Sequence, residues 1–112
     1  MKADGQQAED AVLAWLQRKG LRLVDRNWRS RFGEIDLIMQ DGATLVFVEV
    51  RKRTSSRFGG AAESITAAKR DRIITTARQY LVQAKSDQPC RFDAVLVDAT
   101  GRIEWLRDAF SA

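Results

Sequence analysis

Residues 33–53 read GEIDLIMQDGATLVFVEVRKR, and the reading of this stretch decides the fold. Glu34–Gln40 alternates Glu34, Asp36 and Ile38 on one face with Ile35, Leu37 and Met39 on the other, the period of a strand. Leu45–Arg53 likewise sets Leu45, Phe47, Glu49, Arg51 and Arg53 against Val46, Val48, Val50 and Lys52. Asp41-Gly42 between them is a hairpin dipeptide suited to a type I′ turn. Counting outward from that loop pairs Ile38 with Leu45, Asp36 with Phe47 and Glu34 with Glu49. Asp36 and Glu49 then become diagonal neighbours whose side chains converge. A loop one residue longer would send them to opposite faces.

Three carboxylates on one patch are costly unless solvent or a cation lies among them. Oxygen-only ligands suit Mg²⁺ or Mn²⁺. The plain alternative is a solvated outer face of a hairpin. Leu45, Phe47 and Ile38 share that face with the acids, which favours the mouth of a cleft.

Asp36, twelve residues, then Glu49-Val50-Arg51 resembles the PD-(D/E)xK signature of restriction-endonuclease-like nucleases. More narrowly, GQQAEDAVLAWL (5–16), GEIDLI (33–38), FVEVRKR (47–53), FGGAAESIT (58–66) and CRFDAV (90–95) resemble the YraN family of small bacterial proteins. That family is related to Holliday-junction resolvases. The resemblance implies metal at Asp36 and Glu49 with Glu9 completing the site, and phosphodiester hydrolysis by a metal-activated water. It also makes a homodimer an expectation, since resolvase-like relatives act in pairs; no sequence feature demonstrates one. The third member of the signature is a lysine, and here it is Arg51. Arginine can offset charge on a phosphate but cannot act as a base by losing a proton. Lys52 is adjacent, but strand parity turns it to the other face.

The 112 residues are expected to form one domain spanning 1–112, with 45% hydrophobic and 30% charged content ordinary for a globular protein. The net charge of +4 leans towards a polyanionic partner. No histidine and a single cysteine, Cys90, exclude an internal disulfide, His/Cys zinc sites and Ser-His or Cys-His catalysis. Cys90 reads as a small core residue. The polar start carries no signal-peptide pattern, and no stretch is of membrane-spanning length, so a cytoplasmic location is expected.

Along the chain, 6–19 reads as an amphipathic helix closed by Gly20, with Glu9 at the edge of its apolar stripe. Glu9 is either a first-turn glutamate favoured by the helix dipole or a third ligand. Leu21–Trp28 reads as an edge strand. The following loop mixes Arg29 and Arg31 with Trp28 and Phe32, either to hold phosphates and stack on unpaired bases or as core with solvated arginines. Arg53–Gly60 reads as a mobile polar loop, and Arg51, Lys52, Arg53 and Arg57 are the densest positive charge. Thr66 caps a helix over 67–85 whose first turns carry Lys69, Arg70 and Arg72, where the dipole prefers acids, which points to an anion. Lys69 is a spatial candidate for the motif lysine. Cys90–Thr100 reads as an interior strand in which Asp93 either pairs with an arginine or extends the acidic site, and Ile103–Leu106 as a last strand.

The sequence therefore predicts an α/β fold, a mixed sheet flanked by helices. Its leading function is a Mg²⁺- or Mn²⁺-dependent endonuclease on branched or single-stranded DNA. Asp36, Glu49, Glu9 and Arg51 would do the chemistry, while Arg29, Arg31, Lys52, Arg53, Arg57, Lys69 and Arg72 hold the nucleic acid. The alternatives are a nucleic-acid-binding module without cleavage and a protein-interaction subunit with a basic surface.

Overall fold

The computed structural model of the chain describes residues 4–53 and 65–111. The elements run α1 (Asp4–Arg18), β1 (Arg22–Ser30), β2 (Gly33–Asp41), β3 (Thr44–Arg53), α2 (Ala67–Ala84), β4 (Cys90–Asp98) and β5 (Ile103–Phe110). The five strands form one sheet in the order β1-β2-β3-β4-β5, antiparallel except for the parallel pair β3–β4. A parallel pair needs a crossover, and the segment carrying α2 supplies it. The result is the α/β, restriction-endonuclease-like arrangement expected, with one helix on each face of a mixed sheet.

Each helix covers its own core. Val12 and Leu16 of α1 pack with Leu37, Met39, Val46, Val48 and Val95. Ile73 and Ala77 of α2 pack on the other side with Ile38, Leu45, Phe47, Phe92 and Ala94. Burying a large side chain of this kind is worth about 1.5–3 kcal/mol, so the alternating strands are what hold the sheet between its helices. Thr66 caps α2 as expected, its hydroxyl accepting from the Lys69 N–H at 3.2 Å. Phe92, Ala94, Val95 and Leu96 are buried on both faces of β4, as an interior strand requires. Cys90 is exposed, contrary to its reading as a core residue, because β4 only begins there.

The hairpin turn is shifted by one residue from the expectation. Asp41 pairs with Thr44, which leaves Gly42-Ala43 as the two-residue loop. Gly42 has φ 59°, and Ala43 is not among the residues of positive φ; glycine at the first central position fits type II′ rather than I′. The loop keeps two residues, so faces are preserved, but every pairing moves by two. Ile38 faces Phe47 and Leu37 faces Val48, and the ladder stops there. The expected pairings of Asp36 with Phe47 and Glu34 with Glu49 are thereby replaced. The next facing positions are Asp36 and Glu49.

Strict alternation also fails at that point. Ile35 joins Ile38 in the core under α2, whereas Leu37 and Met39 face α1. β2 leaves β3 at Asp36, and the Val50 N–H donates to Asp36 Oδ2 at 2.8 Å instead of to a strand carbonyl. β1 is irregular beside it. Asn27 lies between Arg26 and Trp28, which pair with Leu37 and Ile35, and adopts a left-handed φ of 53°.

Candidate metal centre

The break in β2 opens a small cavity of about 300 Å³ lined by Gly33, Glu34, Asp36, Glu49, Lys69 and Arg72, among others. Gly33 allows the strand to start beneath α2, since a Cβ there would stand 3.1 Å from Thr76 Oγ1. The carboxylates arrive from three elements. Glu9 comes from α1, Glu34 and Asp36 from β2, and Glu49 from β3. Oxygens of Glu9, Glu34 and Asp36 all lie within 4.8 Å of one another. Glu49 reaches this group through Asp36, with which it shares a carboxyl–carboxyl hydrogen bond.

Burial, that hydrogen bond and the neighbouring charge of Glu49 push the Asp36 carboxyl up to about 8, against the opposing Val50 N–H. Without a cation, then, Asp36 retains a proton near neutral pH. Glu9 is also raised, chiefly by burial and then by Asp36 and Glu34, while Asn27 and Arg26 oppose the rise. An all-carboxylate donor set gathered in a partly buried cavity matches the oxygen ligands that a hard divalent ion prefers.

Lys69 Nζ lies 3.4 Å from Glu49 Oε2, so the cationic start of α2 has an anion partner within the chain itself. Arg51 follows Glu49 by two residues on β3 and is half-buried. It shares the face of Glu49 by parity.

Sequence reasoning passed over Asn27. Its Nδ2 donates to Glu9 Oε1 at 2.8 Å and to Glu34 Oε1 at 2.9 Å, joining α1 to β2 across the mouth of the site. The signal available was weak: asparagine is among the few side chains that tolerate the left-handed region. Asp10 was missed too; it accepts from Arg26 Nη2 at 2.8 Å, which ties α1 to β1 beside Glu9.

Among the described residues, Arg29, Lys69 and Arg72 stand beside the acidic cavity, and the other basic positions predicted from the sequence lie on or between the strands. Arg29 Nε pairs with Glu34 at 2.9 Å, and the Arg31 guanidinium lies 4.9 Å from the Phe32 ring centroid. Arg72 lines the acidic cavity with Lys69. Arg53 is tied to Glu104 of β5 at 2.6 Å, and Lys52 is exposed on the strand beside it. Arg57 and the loop after Arg53 lie outside the described residues. Asp93 is fully buried and belongs to a separate structural network, accepting from Arg91 Nε, Trp105 Nε1 and the Asp108 N–H at 3.0, 2.9 and 2.9 Å. Among the described residues, no helix is long and apolar enough to cross a membrane.

The model of the uncharacterised protein family UPF0102 matches residues 8–97. A UPF0102 protein of Nitrosomonas europaea is 57% identical over 108 residues, covering 95% of this chain and 92% of the relative. Those of Dechloromonas aromatica and Methylobacillus flagellatus are 56% and 55% identical, covering 98% and 100% of this chain and 90% and 100% of theirs. Every residue of the candidate centre falls inside the matched span. By this match and these identities, the chain belongs to the UPF0102 family, the YraN family its motifs resemble.

Proposed function

We propose that the protein is a metal-dependent endonuclease acting on structured DNA, with Asp36, Glu9 and Glu49 as metal ligands and Glu34 assisting. The observation that carries this reading is the convergence of four carboxylates at the break in β2, where burial, and then Glu49 and Glu34, raise Asp36 to about 8. A Mg²⁺ or Mn²⁺ ion held there would polarise a phosphoryl oxygen and lower the pKa of a water at neutral pH.

The chain's own groups supply the rest. Lys69 is held at the cavity by Glu49 and offers a mobile ammonium towards a phosphate oxygen. Arg51 adds a fixed positive charge on the same face, with Arg72 at the rim. Asn27 keeps Glu9 and Glu34 aimed inward. Stabilising charge that develops on the phosphate is the largest part such groups play in phosphoryl chemistry.

The test is Mn²⁺- or Mg²⁺-dependent nicking of branched and single-stranded DNA by the wild-type chain. Activity that survives Asp36→Ala combined with Glu49→Ala would overturn the assignment. A second reading, nucleic-acid binding without cleavage, is favoured by Arg51 standing where the signature has lysine. It predicts salt-sensitive binding with no metal-dependent turnover.

A further inference from the structure

A second depression lies along the same helix. A groove of about 760 Å³ runs between the end of β1 and the outer side of α2, lined by Trp28, Arg29, Arg78, Gln79, Val82 and Gln83, among others. It adjoins the acidic cavity. Arg72 borders that cavity and Thr75, three residues on, borders the groove, while Arg29 of the groove wall is paired with Glu34 of the acidic cluster. Lys69 and Arg78 are nine residues apart on α2, which is about 13 Å along a helix and within reach of a few nucleotides.

Three features of the groove ask for a particular occupant. Trp28 is braced by Tyr80, whose ring meets it edge-on at 5.3 Å, so the indole is held in place rather than free to turn. Val82, also in the groove wall, is 78% exposed, an apolar side chain that nothing among the described residues covers. Gln79 Oε1 is buried and has no hydrogen-bond partner among the described residues. A buried acceptor without a donor is costly, and a ligand that offers an N–H as the amide turns outward recovers that cost. Apolar walls, an aromatic ring, an unmatched acceptor and two flanking arginines together suit a flat heteroaromatic ring carrying N–H groups on an anionic backbone.

We infer that this groove seats an unpaired base of the same strand whose phosphodiester lies at the acidic cavity. Arg29 and Arg78 would take the flanking phosphates, and Trp28 and Val82 would sandwich the base. A base inside a duplex cannot enter, so the groove selects single-stranded or flapped DNA. This deepens the nuclease reading by naming its substrate feature. The test is kept apart from cleavage by running it without divalent metal.

The full-length chain is titrated with a fluorescein-labelled short single strand and with a fully paired duplex of equal length. The wild type is expected to prefer the single strand. Arg78→Glu and Val82→Glu are both exposed changes that leave the core alone, and each should weaken single-strand binding about tenfold, the scale of one lost phosphate contact or one lost stacking contact, with a smaller effect on the duplex. A strand carrying 5-iodouracil should photocrosslink to the peptide containing Trp28. Equal losses on both DNAs, unchanged single-strand affinity, or crosslinks only elsewhere would overturn the inference. So would a wild-type dimer in sedimentation that Val82→Glu splits into monomers, since the groove would then be covered by a second copy. None of these outcomes bears on whether the acidic cavity cuts DNA, and loss of cleavage in the carboxylate variants leaves the groove result standing.

Discussion

Lys69 of α2 reaches across to Glu49 of β3, Nζ to Oε2 at 3.4 Å, placing an ammonium beside the most enclosed carboxylate of the site. Glu49 is 6% exposed and the lysine is more open, so the pair holds a buried negative charge from the solvent side. Lys69→Ala should cut metal-dependent nicking about 10²–10³-fold, the scale of losing one charge-stabilising donor. Arg51→Lys alone should not restore activity to that variant, because a lysine on β3 does not replace the ammonium that α2 brings to Glu49. Single-turnover nicking of a branched DNA by the wild type, Lys69→Ala and Lys69→Ala combined with Arg51→Lys checks the ranking.

Asp36 sets a pH dependence of stability. Its carboxyl sits at about 8 in the fold, well above its ordinary value of 3.8. Between those two values the folded chain holds a proton that the unfolded chain has lost, so stability falls as pH rises through that window. Asp36→Asn keeps an acceptor for the Val50 N–H and cannot ionise. Near pH 8.5 the variant should be more stable than the wild type by several kcal/mol, the order that a displacement of this size implies. Near pH 4 the difference should vanish. Urea unfolding in chelator across this range measures it.

Asn27 acts through its two carboxylate partners. Asn27→Ala removes both N–H donors to Glu9 and Glu34 and puts a less tolerant residue at φ 53°. Loss of about 1–2 kcal/mol of stability is expected. Mn²⁺ affinity should fall about 10–100-fold, as when a group that orients metal ligands is removed. Asn27→Gly tolerates the backbone but loses the same donors. It should regain stability without regaining affinity, and isothermal titration with Mn²⁺ separates the two effects.

Much of this was legible in the chain, for reasons that differ by element. The stripe of α1, the two-faced apolar run of β4 and the Thr66 cap each rest on a local period or a local hydrogen bond, and the structure carries all three. The hairpin was harder, because Asp41-Gly42 and Gly42-Ala43 are both two-residue loops that preserve faces and differ only in which residues meet. The break at Asp36 left no trace in the pattern, since Ile35, Leu37 and Ile38 are all apolar and either face accepts them. Asn27 was invisible because its role depends on two glutamates, seven and eighteen residues away in sequence. Lys69 was visible as a charge out of place on the helix dipole; only the fold named its partner.

Asp93 is a buried acid that stands apart from the carboxylates of the candidate centre. Its carboxylate is fully buried and saturated by Arg91, Trp105 and the Asp108 N–H, holding the irregular β4–β5 pairing together. Asp93→Ala leaves Arg91 with only Asp41, 2.9 Å away, and should cost about 3–5 kcal/mol. Below its lowered melting temperature the variant should bind Mn²⁺ like the wild type. Thermal unfolding and titration on one preparation decide this.

The account depends on the acids at the break in β2 gathering around one hard cation. Crystals soaked in Mn²⁺ near pH 8, where the Asp36 proton is readily displaced, test that most directly through the anomalous difference map. The prediction is a single strong peak within coordinating distance of Asp36 and at least one of Glu9, Glu49 and Glu34, lost in Asp36→Asn crystals. A map with no peak there, and Lys69 still closed on Glu49, would contradict it.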